Sequence, residues 1–242
     1  MIELVNLVKR FGDLVAVNDI SLRVGSGEFF AVLGPNAAGK TTTIKILAGL
    51  MKPSSGTVAI CGYDVQNHPL EARRRLAYVP DFPFLYDKLT PWEFFRFSGQ
   101  LFEMKAARIK ANADALIEQF NLEEFVHKSI EGLSHGTRQR VAICSALLHD
   151  PEVFVIDEPM VGLDPQHAHV LKNILKRRSR AGMTVFVSTH QLSIAEEMAD
   201  RIGIIHQGRL IAVGNKEALR NQAGLSGALE EVFLALTAES AG

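Results

Sequence analysis

Two kinds of apolar pattern alternate along this chain. Apolar residues at every second position predict half-buried strands near 2–8, 14–24, 57–61 and 209–213. Short unbroken apolar runs at 29–33, 76–79, 153–156, 184–187 and 202–205 predict strands buried on both faces, as in a parallel sheet. Apolar positions at helical spacing predict helices over 39–50, 91–104, 106–119, 137–149, 166–181, 191–199 and 227–237. From about 85 to 150 the pattern is helical, with only turns between helices. The fold class expected is therefore α/β, with an N-terminal β region and an inserted α-helical subdomain at 85–150. Segments 1–84 and 151–242 then form the α/β core of a single domain, 1–242. No long linker, repeat or low-complexity block divides it.

The totals change this picture little. A length of 242 residues fits one large α/β domain with an insertion. A net charge of −1 gives no overall attraction to polyanions, so no nucleic-acid partner is expected. Two basic clusters, 73–75 and 176–180, read as solvated helix faces. Cys61 and Cys144 have neither metal spacing nor a disulfide framework; they read as small core residues and fit a reducing compartment. Met1 leads directly into a strand pattern, so no secretory signal is expected. No apolar run is long enough to span a bilayer. If the protein works at a membrane, another chain does the spanning.

The chemistry concentrates after the run at 29–33. Gly34, Pro35, Asn36, Ala37, Ala38, Gly39, Lys40, Thr41 and Thr42 match G-x-x-x-x-G-K-[ST] between a buried strand and a helix. Loop amides and a helix N-terminus suit phosphate oxygens. Lys40 would reach the terminal phosphates, and the Thr41 hydroxyl would hold Mg²⁺. If the buried runs are parallel strands, their carboxyl ends share one edge. Asp157 and Glu158, Ser188 to His190, and Pro80 with Asp81 would then converge on the same phosphates. Asp157 suits the Mg²⁺ side, directly or through water. Glu158 suits orienting or deprotonating a water, and His190 suits contacting the γ-phosphate or holding the water and Glu158 in place.

A second helix start also suits an anion. In Leu133-Ser-His-Gly-Thr-Arg-Gln-Arg-Val141, Ser134 can cap and Gly136 offers an open amide. The helix over 91–104 carries aromatics around much of its circumference. It reads either as a well-buried helix or as an apolar surface that docks a partner.

In order along nearly its whole length, the chain resembles the nucleotide-binding subunit of ABC transporters, which has a P-loop NTPase core of RecA-like type. Phe11 falls where that family stacks an aromatic on adenine, and Val17 follows at a matching distance. Gly34 to Thr42 are similar to the Walker A loop, and Val153 to Glu158 to Walker B with its catalytic glutamate. Asp81 occupies the place of the Q-loop glutamine, and Leu133 to Thr137 that of the signature motif. Gly162 to Pro165 resemble the D-loop, and His190 the switch histidine. The resemblance implies a Mg²⁺-dependent ATPase with catalytic Glu158 and His190, and Thr41, Asp157 and Asp81 near the metal. It implies that Ser134 and Gly136 cap the ATP held by a second ATPase subunit, identical or a paralogue. It also implies a membrane-spanning transporter subunit, docked at the aromatic helix, and a cytoplasmic place on the inner face of the membrane.

Four residues depart from the family pattern: Ala37 for Gly, Asp81 for Gln, and His135 and Thr137 for Gly and Gln. The tail Leu229 to Leu236 puts Leu229, Val232, Phe233 and Leu236 on one helical face, which resembles the C-terminal helix of ABC-2-type exporters. Two alternatives are a soluble ABC-type ATPase acting on a cytoplasmic assembly or nucleic acid, and a different P-loop enzyme such as a GTPase. For the latter, Asn215 to Ala218 is a near-match that lacks the guanine-reading Asp.

Overall fold

The structure is a computed structural model and describes residues 1–225 and 227–239. Position 226 and the last three positions of the expected 1–242 domain lie outside the described residues.

Strands β1 (Ile2–Phe11), β2 (Leu14–Val24), β4 (Ser55–Ile60) and β5 (Tyr63–Asp64) form an antiparallel sheet in the order β2-β1-β4-β5. The second sheet holds β3 (Phe29–Leu33), β6 (Leu76–Val79), β7 (Val153–Asp157), β8 (Thr184–Thr189), β9 (Arg201–His206) and β10 (Arg209–Gly214). Its order is β10-β9-β3-β8-β7-β6, and every pair in it is parallel except β9 with β10.

The unbroken apolar runs are explained by cover on both faces. In β7, Phe154 and Ile156 enter one core while Val153 and Val155 enter another. Phe186 of β8 takes the second side, and its neighbours Val185 and Val187 take the first. Neither face meets water, so apolar residues fill nearly every position in these strands. The first core belongs to the helices α3 (Pro91–Leu101), α4 (Ala106–Gln119), α5 (His135–Leu147) and α6 (Pro165–Arg180). The second lies between this sheet and the antiparallel one, around α1 (Lys40–Leu47). A third joins β3 and β9 to the C-terminal helices. There Leu229, Val232 and Leu236 are buried and Phe233 packs partly against them, so the apolar face read from the tail is a packed one.

The helical segment between β6 and β7 starts with a capping box. Thr90 Oγ1 accepts from Glu93 N at 3.2 Å, Glu93 Oε2 accepts from Thr90 N at 2.8 Å, and Pro91 opens the helix.

Two helices escaped the sequence reading: α2 (Pro69–Arg75) and α8 (Lys216–Ala223), one before β6 and one after β10. Each is short and buries one residue, Ala72 and Leu219 respectively, so apolar spacing carries too little signal to reveal it. Asn215 caps α8 by accepting from Ala218 N at 2.8 Å, which gives the Asn215 to Ala218 stretch a structural task instead of a nucleotide-reading one. The remaining helix, α7 (Leu192–Met198), and the last, α9 (Leu229–Glu239), flank the third core. Among the described residues, no helix is long and apolar enough to cross a membrane.

Candidate active site

The phosphate loop runs from the end of β3 into α1. Close backbone approach fixes its glycines. A Cβ on Gly34 would lie 2.3 Å from the Ile205 carbonyl oxygen, and one on Gly39, at φ 107°, would lie 2.5 Å from that of Ala16. Ala37 sits at φ 63°, in the left-handed region where a Cβ costs about 1 kcal/mol. Thr43 Oγ1 donates to Gly39 O at 2.9 Å, and Gly208 N donates to Ala38 O at 2.9 Å, so the loop is tied to its own helix and to the β9–β10 turn. Lys40 is buried, and its Nζ donates to the carbonyls of Gly34 (2.6 Å) and Pro35 (3.0 Å). Burial lowers the ammonium's pKa, opposed by the charges of Glu158 and Asp157.

The parallel pairing brings the strand ends to this loop. Asp157, the last residue of β7, is buried and its Oδ2 accepts from Thr41 Oγ1 at 2.9 Å. Glu158 follows at φ 47° with its N–H on the Ser188 carbonyl at 2.8 Å. Its carboxylate is held twice from the end of β8. Oε2 accepts from Thr189 Oγ1 at 3.2 Å, and Oε1 accepts from His190 N at 3.1 Å and His190 Nδ1 at 2.8 Å. A carboxylate only accepts, so the imidazole carries its proton on Nδ1. Asp81, just beyond β6, has its pKa raised, first by burial and then by Asp157 and Glu158. Thr41, Asp157 and Asp81 offer oxygen atoms alone, the donor chemistry that fits Mg²⁺.

These groups open onto a cavity of about 920 Å³, large enough for a nucleotide. Phe11, Asn36 to Thr42, Asp81, Asp157 and Glu158 line it. Gly34 and Pro35 shape the loop from behind, through the carbonyls that hold Lys40. His190 reaches the cavity through Glu158.

Val17 requires a correction. Its side chain is fully buried in the core between the sheets, and the cavity wall there is Leu14 and Ala16. The reason is a change of strand parity. Register shifts interrupt the β1–β2 pairing, with Asn6 at φ 46° and Asp19 at φ 56°, and Asn6 Nδ2 donates to Asp19 Oδ1 at 2.9 Å. An extra residue in β2 turns Val17 inward along with Ile20 and Leu22. Sequence reasoning also missed Lys45 and Tyr78 in the lining. The Tyr78 phenol is pushed up to about 12, chiefly by burial. Lys45, one turn after Thr41 on α1, was findable from helical spacing; Tyr78, inside a buried run, was not.

The second anion-suited helix start lies elsewhere. Ser134 caps α5, accepting from Thr137 N at 3.3 Å. Gly136 packs so closely that a Cβ on it would lie 2.4 Å from the Gly162 carbonyl oxygen. Ser134, Gly136, Gly162 and Asp164 border a separate cavity of about 360 Å³, and no residue lines both cavities.

A sequence model of the family described as ABC transporter matches residues 17–161. The Nod factor export ATP-binding protein I of Burkholderia lata is 40% identical over 214 residues, covering 88% of this chain and 70% of that protein. A solved ATP-binding subunit of an ABC transporter superposes with a TM-score of 0.94 at 34% identity, covering 98% of this chain and 99% of its own. A solved dimeric ATP-binding cassette in a post-hydrolysis state, bound to ADP and Pi, superposes with a TM-score of 0.81 at 27% identity, covering 89% and 98%. The family match takes in the phosphate loop, Asp157 and Glu158, and the superposition takes in the whole sheet that carries them: the chain belongs to the ABC transporter family, as an ATP-binding subunit.

Proposed function

We propose that this subunit hydrolyses ATP, that it closes head-to-tail with a second cassette around two ATP molecules, and that it drives export through separate membrane-spanning subunits. The observation that carries the proposal is the separation of the two anion-suited sites. Lys40 and Ser134 line different cavities of the same chain, so Ser134 and Gly136 do not complete the chain's own phosphate loop. A facing copy supplies them to it. The dimeric cassette among the structural neighbours supports this arrangement, and the exporter relative supports the direction of transport.

The residues divide the work. Phe11, exposed at the cavity mouth, stacks on the base. Loop amides, the N-terminus of α1 and Lys40 take the phosphate charge. Thr41, Asp157 and Asp81 would hold Mg²⁺, which when bound would neutralise charge on phosphate oxygens. Glu158, pinned by Thr189 and His190, orients the attacking water and accepts its proton. The water oxygen bonds to the γ-phosphorus as the bond to the β-phosphate's bridging oxygen breaks, and ADP leaves. Only the γ-phosphate touches both cassettes, so its loss opens the dimer.

An exposed apolar surface supports docking on a membrane chain at the cytoplasmic face. Phe82, Phe84, Tyr86, Phe97 and Leu101 are all exposed, and all belong to α3 or to the segment leading into it. The segment 85–150 is then the arm that carries Tyr86, Phe97 and Leu101 of this surface together with Ser134. Glu158→Gln tests the proposal. It removes the proton acceptor while keeping the shape, so Mg-ATP is expected to trap a dimer by sedimentation. A monomer at saturating Mg-ATP would overturn the sandwich.

A further inference from the structure

Thr137 stands where the family resemblance places a glutamine, and its hydroxyl sits in a hydrogen-bond chain that ends at Ser134. The chain starts at Arg140, a buried guanidinium. Its Nη1 donates to the carbonyls of Phe120 (2.6 Å) and Asn121 (3.0 Å) and meets His167 Nε2 at 2.9 Å. Arginine only donates, so Nε2 accepts, and His167 Nδ1–H donates to Asp164 Oδ2 at 2.6 Å. The Arg140 Nη2 group donates to Thr137 Oγ1 at 3.1 Å. Thr137 Oγ1 lies 3.0 Å from Ser134 Oγ, and Thr137 N donates to Ser134 Oγ at 3.3 Å.

The direction of the hydroxyl–hydroxyl bond follows from satisfaction. Thr137 is buried, and its Oγ1 has no other acceptor in reach among the described residues. If Ser134 donated to it, the Thr137 proton would be buried and unpaired, which is costly. Thr137 therefore donates to Ser134. Ser134 Oγ then accepts twice, from the Thr137 amide and the Thr137 hydroxyl, and both its lone pairs are filled. Its own proton is the one capacity left, and Ser134 is exposed. Each bond in the series is polarised by the guanidinium behind it.

We infer that Thr137 is a positioning residue that turns the Ser134 hydroxyl outward as a proton donor to an anionic oxygen. Resting on the sandwich reading above, that oxygen belongs to the γ-phosphate held by the facing cassette. Asp164 and His167 hold the far end of the chain, so the Gly162–Pro165 loop and the start of α5 are linked through one network.

The test uses the full chain with Glu158→Gln and measures the ATP-dependent dimer dissociation constant by sedimentation. Thr137→Val, which keeps the shape and removes the hydroxyl, is expected to weaken the dimer about tenfold, and Thr137→Ser to stay within about twofold of the parent. Thr137→Ala makes the same comparison if valine overcrowds the helix. Nucleotide affinity of the monomer stays unchanged, because the hydroxyl acts on the other chain's ligand. Adding Thr137→Val to Ser134→Ala is expected to cost nothing further, since Thr137 works through Ser134. A dimer of Thr137→Val as tight as the parent, or full additivity with Ser134→Ala, overturns the inference alone. A Glu158→Gln parent that never dimerises overturns the sandwich reading and this inference with it.

Discussion

Asp81 shows what one changed residue does to a shared site. It stands beside Asp157 and Glu158, and all three carboxylates line the cavity that Lys40 also lines. A bare triphosphate meets repulsion there that a neutral glutamine would not give. Nucleotide affinity is therefore expected to depend more strongly on Mg²⁺ in the parent than in Asp81→Gln. Titration of each with and without Mg²⁺ checks this, and equal dependence in both would refute it. Lys40, Thr41, Asp157, Glu158 and His190 were all legible in the sequence. Each is fixed by residue type and by its place after a strand. Val17 was not legible, because a bulge at Asp19 reverses which side of β2 faces the core.

Elements depend on neighbours that the local pattern does not name. Beyond the end of α5, His149 stacks on Phe102 at the end of α3, with ring centroids 3.6 Å apart and planes at 8°. Burial pushes this imidazole down to about 4 from an ordinary 6.5. Above pH 6.5 both folded and unfolded chains hold it neutral, and stability is intact. Between 6.5 and 4 the unfolded chain takes up the proton first, so stability falls as pH falls; below 4 both are protonated and the loss levels off. The contribution is up to about 3 kcal/mol. His149→Phe keeps the stack and removes the titration. Denaturant unfolding of the parent should weaken relative to this variant across that window, and parallel curves would rule the effect out. The helices α2 and α8 make the same point from the other side. They are held by Pro69 at a start and by the Asn215 cap, each with one buried residue, so apolar spacing could not reveal them.

At the scale of the molecule, the notable feature is what is left uncovered. The aromatic helix 91–104 had two readings, a buried helix and a docking surface, and its residues divide between burial and exposure. Phe94 and Phe95 are buried, while Phe97 is 37% and Leu101 67% exposed. Tyr86 meets the Phe97 ring edge-on at 5.5 Å, which makes one continuous apolar surface with the preceding loop. Leu101→Ser with Phe97→Ser is expected to abolish co-purification with the membrane-spanning subunit proposed above and leave nucleotide affinity unchanged. Neither residue lines the nucleotide cavity. Retained co-purification would place the docking surface elsewhere.

By itself the sequence determined the phosphate loop, the buried strands and the order of the polar residues at their ends. These follow from local rules: a Gly-rich turn before a helix, and strands with no polar face. Tertiary structure alone decided three things. It made the strands parallel neighbours, so that Asp157, Glu158 and His190 share an edge. It turned Val17 inward. It also set Ser134 in a cavity apart from Lys40. Each depends on which distant segments pair or pack, and pairing is governed by the burial of both partners together, which no single stretch of residues contains.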